Sequence, residues 1–318
     1  MDRVLVTGGG GFIGSHLVRA LLAEGYAVRV ADNFYSGRRE NLSDVLGDIE
    51  LIDDSDGIVS ERICGEAVRD VKCILHQGAI PSVHRSLEDP VLTNRVNVGG
   101  ALTLLEAARK AGVSRFVYAS SSSIYGNAEG DVRSEEDAPQ PLSPYAVSKL
   151  AAEKYAMMYH QLHGLETVGL RYFNVFGPRQ DPNSPYSAVI PLFARALLAG
   201  DSPQIFGDGH QSRDFTFIDN VVAGNLLAMK AGRVGGEVIN LAAGSNHSVN
   251  DLFGKLRGII GAEGIEATYS PARKGDAFRS QADISKAKKR LGYEIKVSFD
   301  EGLSRTVDWY RSFSDGHL

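Results

Sequence analysis

The chain has 318 residues, of which 43% are apolar and 23% charged, and a net charge of −5. That length supports a substantial buried core, and the absence of a basic tail or stripe argues against nucleic acid as a partner. No apolar run approaches the ~18–20 residues of a membrane helix, and the opening MDRVLVTGG runs straight into a strand pattern without a leader-like basic and apolar segment. Cys64 and Cys73 fit no zinc or redox spacing. So few thiols suit a reducing compartment, and a cytoplasmic protein without metal is expected.

In chain order, Val4-Leu5-Val6 reads as a short buried strand, followed by a glycine cluster and a helix over Ser15–Glu24 that stops at Gly25. Ala27–Ala31 is a second strand ending at Asp32. Strands at Glu50–Ile52, Cys73–Leu75 and Phe116–Ala119 alternate with helices at Arg62–Val68, Asn94–Ala111 and Pro144–His163. This alternation predicts an α/β fold, a Rossmann-type doubly wound parallel sheet covered on both faces. Near residue 172 prolines and glycines become frequent, and helices at Val189–Ala199, Val249–Ile260, Ile284–Leu291 and Phe299–Phe313 alternate with loops. Residues 1–171 are thus expected to form a dinucleotide-binding domain. Residues 172–318 form a smaller α/β substrate lobe, some of whose segments return to the first domain.

Thr7-Gly8-Gly9-Gly10-Gly11-Phe12-Ile13-Gly14 places Gly8, Gly11 and Gly14 between a strand and a helix. Glycines there let the backbone approach a pyrophosphate seated on the helix N-terminus. A plain glycine-rich turn would explain the glycines alone. It would not explain Asp32, which ends the next strand where a carboxylate binds the ribose hydroxyls. Asp32 favours NAD over NADP, since a carboxylate repels a 2′-phosphate. Arg38 and Arg39 read as a solvated pair on a polar loop.

Tyr145 and Lys149 form a Y-x-x-x-K pattern. The pattern alone arises by chance, but here Ser143 can cap a helix and Pro144 suits its first position. Positions four apart share a helix face, so the ammonium can lie beside the phenol. A free phenol is a poor base at neutral pH; a neighbouring cation favours phenolate. Ser120-Ser121-Ser122-Ser123 follows a strand, at the sheet edge where ligands of such folds bind, and its hydroxyls can serve a substrate.

With these motifs in this order the chain resembles the extended short-chain dehydrogenase/reductases. The segments Arg171-Tyr172-Phe173-Asn174-Val175-Phe176-Gly177-Pro178-Arg179-Gln180, Ser187–Pro191, Gly207–Gly209, Arg213–Phe215 and Arg273–Asp276 extend the likeness through the second lobe. The subgroup it most resembles is the UDP-hexose 4-epimerases, especially those acting on UDP-N-acetylglucosamine.

The resemblance implies an enzyme that uses NAD to epimerise a UDP-sugar through a 4-keto intermediate. Ser121, Tyr145 and Lys149 would be catalytic. Gly8, Gly11, Phe12, Ile13, Gly14, Asp32, Asn33, Ser36, Gly37, Gln77, Gly78, Ala79 and Tyr172 would surround the cofactor, together with Tyr145 and Lys149. Ser122, Ser123, Arg85, Asn174, Ala188, Val189, Arg213, Arg273, Asp276 and Ser280 would meet the UDP-sugar.

Serines at 122 and 123, where dehydratase relatives carry acids, argue against elimination of water. Ser280 stands where a bulky tyrosine would restrict the pocket to glucose and galactose, so N-acetylated sugars are expected to fit. No adenine contact is assigned within Asp53–Asp56. A UDP-glucuronate 4-epimerase, gripping its carboxylate through Arg85, and a catalytically silent NAD-binding regulator remain alternatives. The resemblance also implies a homodimer through Asn94–Ala111 and the helix carrying Tyr145.

Overall fold

The structure, a computed structural model, describes residues 1–126, 128, 130–182, 188–272 and 279–314. Seven strands build the central sheet: β1 (Arg3–Thr7), β2 (Ala27–Asp32), β3 (Ile49–Asp53), β4 (Val71–His76), β5 (Arg115–Ser121), β6 (Glu166–Tyr172) and β7 (Glu237–Leu241). Their spatial order is β7-β6-β5-β4-β1-β2-β3, and every pairing is parallel. Covering helices are α1 (Phe12–Ala23), α2 (Glu61–Ala67), α3 (Ala101–Ala111), α4 (Pro144–His163) and α5 (Ile218–Lys230).

Alternation along each strand feeds two cores. Val4 and Val6 pack with Leu17, Val18 and Leu21 of α1 and Val221 of α5. Leu5 points to the other face, with Leu104 and Leu105 of α3 and Tyr159 of α4. The order of strands reverses between β1 and β4, which opens a crevice at their carboxyl ends. Register brings Thr7 beside Ala31 and His76, and Ser121 beside Tyr172. The strand-terminal residues expected at the site therefore share one edge.

β6, β7 and α5 are structural elements that the sequence pattern does not announce. β6 carries Glu166 and Arg171 within its run, so it lacks a continuous apolar signal. The fold accommodates Arg171 by burying it against Glu153 of α4. β7 lies well beyond residue 171 yet pairs with β6, so the central sheet draws a strand from the C-terminal half.

A four-stranded sheet with order His247–Ser248, Ser212–Arg213, Arg279–Ala282, Val132–Arg133 joins three strands of that half to one from the first. The helices at Val189–Ala199, Val249–Ile260 and Phe299–Ser314 pack against one another, and Val249–Ile260 also meets the strand His247–Ser248. The helix expected over Asn94–Ala111 is interrupted. Its first part, Arg95–Gly100, is a π-helical turn, and α3 follows, ending at left-handed Gly112. Asn97 explains the turn's position: its side chain bonds the backbone N–H of Ile80 at 2.8 Å and the carbonyl of Ile80 at 3.2 Å.

No helix among the described residues is long and apolar enough to cross a membrane. Cys64 and Cys73 are both buried free thiols, each pushed up to about 12 by burial.

Candidate active site

A cavity of about 880 Å³ fills the crevice at the β1/β4 switch. Gly8, Gly11, Phe12, Ile13 and Gly14 line one wall, and no side chain caps the start of α1. Helix amides left in this way bind anions. The glycines are sterically required. Gly8 has a φ of +71°, and a Cβ there would sit 2.8 Å from the Gly78 nitrogen. A Cβ on Gly14 would overlap the Gly8 carbonyl oxygen and lie 2.8 Å from the Gly9 Cα. This cradle fits a pyrophosphate and nothing bulkier on the protein side.

Asp32 closes the next wall. Its carboxylate accepts from the Gly10 and Phe34 amides, each at 2.8 Å, so its position is fixed by backbone. Burial raises its pKa, and those two amides and the Arg39 charge oppose the rise. Asn33, Ser36 and Gly37 continue the wall. Arg39 is paired with Asp53 and lies over the Phe34 ring, while Arg38 approaches Glu40 and Asp181 at 3.9 Å each. The far end is lined by Ser55–Val59. Asp56 is the acid on that stretch of wall, and Asp54, just before it, is held by Arg62 at 2.7 Å.

The reactive end lies where β5 meets α4. Ser143 caps α4, its hydroxyl accepting from the Ala146 amide at 3.1 Å, and Pro144 occupies the first turn. This places Tyr145 at the helix start, on the cavity wall, with Ser121 and Lys149. Ser121 bonds the Tyr145 phenol, and the Ser123 hydroxyl donates to the Ser121 oxygen at 2.9 Å. The Lys149 ammonium is 5.9 Å from the Tyr145 ring centroid and donates to the Ala119 carbonyl at 3.0 Å.

The chain alone adds a factor that spacing does not reveal. In the protein itself burial dominates the phenol and raises its pKa, with the Ser121 hydrogen bond opposing. Lys149 is buried as well, and its ammonium is pushed down to about 8. The cation beside the phenol is therefore itself close to losing its proton.

Gln77, Gly78, Ala79 and Tyr172 complete the wall near this end. The Tyr172 hydroxyl lies 2.9 Å from the Asn225 Oδ1 and 3.2 Å from the Gln77 Oε1, which ties α5 to the site. His76 is neutral: its ring, 2.7 Å from the Thr7 hydroxyl, is pushed down to about 3 by burial.

Among the residues expected to meet substrate, Arg85, Asn174 and Ala188 line the cavity. Ser122, Ser123, Val189, Arg213 and Ser280 stand off its wall. Ser122 and Ser123 lie in a 3₁₀ turn, where Ser123 is tied to Ser121. Val189 opens the helix after Ala188. Arg213 and Ser280 face each other across paired strands of the small sheet. Arg273 and Asp276 lie outside the described residues.

Sequence reasoning missed Asp214, the hub of this region. Its amide donates to the Ser280 carbonyl at 2.7 Å, and its carbonyl accepts from Asn174 at 3.2 Å. Its buried carboxylate accepts from the Ala243, Gly244 and Ala282 amides and is pushed up to about 7 by burial. His16 was missed too. Pushed down to about 4 by burial, it lies 2.9 Å from the Pro178 carbonyl and so links α1 to the loop after β6.

A glycine cradle, a ribose-facing acid and a Ser–Tyr–Lys constellation on one switch-point cavity invite comparison with known proteins. The model of the NAD dependent epimerase/dehydratase family matches residues 4–242. The chain belongs to this family. A UDP-glucose 4-epimerase of Mycolicibacterium smegmatis is 40% identical, over 98% of this chain and 99% of its own. The structure of a UDP-glucose 4-epimerase from Thermotoga maritima with UDP-glucose superposes with a TM-score of 0.93 at 39% identity. It covers 98% of this chain and 99% of that one. A UDP-N-acetylglucosamine 4-epimerase from Methanobrevibacter ruminantium, in complex with UDP-N-acetylmuramic acid, gives 0.92 at 37% identity, covering 98% of each chain. The family's cofactor, NAD, fits the cradle: backbone amides at the start of α1 face the anion, and Asp32 faces the ribose side.

Proposed function

We propose that this chain epimerises a UDP-sugar at C4, with UDP-N-acetylglucosamine and UDP-N-acetylgalactosamine as substrates alongside UDP-glucose and UDP-galactose. The observation that carries this reading is the convergence of Ser121, Tyr145 and Lys149 on the cavity that holds the glycine cradle. NAD held in this cradle would supply a hydride acceptor for C4 of the sugar, and the returned hydride would give the epimer.

The chain's own residues would do the rest. The α1 amides hold the pyrophosphate, and Asp32 holds the adenine ribose with Asn33, Ser36 and Gly37 around it. Asp56 and Ile58 would flank the adenine, while Gln77, Gly78, Ala79 and Tyr172 shape the nicotinamide end. Tyr145 takes the proton of the sugar 4-hydroxyl and gives it back. Ser121 shares the hydrogen bond and aligns that hydroxyl. Bringing even a free phenol of pKa ~10 to neutrality needs about 4 kcal/mol of differential interaction, and the burial of Tyr145 adds to that demand. Lys149 and the cationic nicotinamide together can supply it in a buried site. Asn174, Arg213, Arg273 and Asp276 would hold the diphosphate and uridine. Ser122, Ser123, Ala188 and Val189 would surround the sugar.

The Lys149 charge sets a pH dependence. The ammonium is present below about 8 and is lost as pH rises through that value. kcat should therefore fall on the alkaline side near pH 8, measured at saturating substrate across pH 6–10. Activity that stays flat through pH 10 would contradict the role of Lys149.

Ser280 supports acceptance of the N-acetyl group. Ser280→Tyr should leave UDP-glucose turnover near wild type and lower kcat/KM for UDP-N-acetylglucosamine by about 10- to 100-fold, the cost of overpacking a pocket. Equal activity on both substrates would refute the gate. A UDP-glucuronate 4-epimerase is the second reading, favoured by Arg85 on the cavity wall; conversion of UDP-glucuronate alone would select it.

We also infer a dimer of two copies. Leu87 (62% exposed) and Val91 (77%) stand four residues apart on the short helices before Arg95, and Val147, Met158 and Leu162 stand exposed on α4. Such an apolar stripe on adjacent helices suits a self-complementary interface. Glu153 and Ala156 are buried within the subunit and take no part in it. Leu162→Asp should shift the sedimenting species from dimer to monomer; a wild-type protein that sediments as a monomer refutes the proposal.

A further inference from the structure

A buried polar network lies directly behind the reactive residues, and neither the motif nor the family likeness assigns it a role. Lys149 and Glu153 are one turn apart on α4, so they share a helix face. Both are buried, at 7% and 1% exposure. Both reach the same end of β5: Lys149 donates to the Ala119 carbonyl, and the next residue, Ser120, donates its hydroxyl to Glu153. The ammonium and the carboxylate therefore stand against neighbouring residues of one strand.

Across the sheet, Ser120 pairs in register with Arg171, and Arg171 with Asn240. Arg171 grips Glu153 with two hydrogen bonds, of 3.0 and 2.9 Å, and donates to the Tyr125 hydroxyl at 2.8 Å. Tyr125 in turn donates to Asn240 at 2.6 Å. A single carboxylate is thus paired directly with one buried cation, Arg171, and stands one helical turn from a second, Lys149.

We propose that Glu153 is the internal counter-ion of the active site, a positioning residue that keeps Lys149 protonated while Ser120 and Arg171 fix its carboxylate in place. The other groups facing Lys149 cannot take this part. His76 of β4 is neutral, Ala119 offers a carbonyl dipole, and Tyr145 is a neutral phenol at rest. Burial drives the ammonium toward its neutral form, and Glu153 is the charge that opposes it. Arg171 acts differently, by holding the second carboxylate oxygen with a hydrogen bond of 2.9 Å and so fixing the orientation of the side chain.

The inference rests on Lys149 acting through Tyr145 as proposed above. Its test reads Lys149 directly as well as turnover. The side-chain ammonium of Lys149 would be titrated by NMR in the NAD-loaded protein, its signal assigned by its loss in Lys149→Met. Glu153→Gln keeps the shape of the side chain and removes its charge. It should lower the Lys149 titration midpoint by about 1 unit and move the alkaline limb of the kcat profile down with it.

Glu153→Gln leaves Arg171 buried without its partner and can destabilise the fold. The double variant Glu153→Gln with Arg171→Gln removes that unpaired charge and should show the same downward shift. Arg171→Gln alone leaves Glu153 facing Lys149 and should not lower the midpoint. An unchanged midpoint in both variants that lack Glu153 overturns the proposal. So does a loss of kcat that is alike in Glu153→Gln and Arg171→Gln with unmoved pH profiles, since a purely structural brace behaves that way. A lowered midpoint with an unmoved kcat profile would uphold the counter-ion and overturn instead the catalytic role given to Lys149.

Discussion

Tyr145→Phe should lower kcat for UDP-sugar epimerisation by about 10²- to 10⁴-fold, the range for loss of a positioned proton-transfer group. The substitution removes one oxygen from a side chain whose ring is held by the first turn of α4, so the cavity wall keeps its shape. NAD should remain bound, because the substitution leaves Gly8, Gly11 and Gly14 of the cradle untouched. KM should change little, since the phenol acts on the proton and contributes little to holding the UDP moiety. The measurement is steady-state epimerisation beside NAD content by absorbance after gel filtration. A variant that keeps NAD and epimerises within a few fold of wild type would remove Tyr145 from the mechanism.

The second large effect concerns the cradle. Gly14→Ala adds a methyl group that overlaps the Gly8 carbonyl oxygen and reaches within 2.8 Å of the Gly9 Cα. Neither obstacle is a flexible side chain, so the backbone itself must shift. The Gly8 turn is fixed in turn by its approach to Gly78 and by the hydrogen bond from its amide to Ala31. The displaced turn no longer presents its amides to a pyrophosphate. NAD affinity should fall by two orders of magnitude or more, from lost charge-assisted bonds of roughly 1.5–3 kcal/mol each. Overpacking should also lower stability by about 1–3 kcal/mol. Isothermal titration with NAD and a thermal melt separate these effects. Wild-type NAD affinity in this variant would contradict the cradle.

The dinucleotide half of the site was legible in the sequence because its requirements are local. Gly8, Gly11, Gly14 and Asp32 occur in sequence order where steric limits and charge demand them, and they line one cavity. Tyr145 and Lys149 were legible for the same reason, since one helix turn sets their relation.

What the pattern could not reveal is non-local. Arg171 interrupts the apolar run of β6, and only its pairing with Glu153, on another element, makes it a core residue. Asp214 reads as one acid in a polar segment, yet in the fold it gathers three backbone amides from two distant stretches. The upward pull of burial on Tyr145 in the chain alone was not legible, because neighbouring charge can be inferred from i,i+4 spacing, whereas burial depends on the whole fold. Glu153, four residues after Lys149, did leave a signal in the same helical spacing.

The most direct test of the central claim is to incubate the purified protein separately with UDP-N-acetylglucosamine, UDP-glucose and UDP-glucuronate and to resolve the C4 epimers by chromatography. The account predicts interconversion of UDP-N-acetylglucosamine with UDP-N-acetylgalactosamine and of UDP-glucose with UDP-galactose, with UDP-glucuronate unchanged. Conversion of UDP-glucuronate alone, or of none of the three by an NAD-loaded protein, would contradict it.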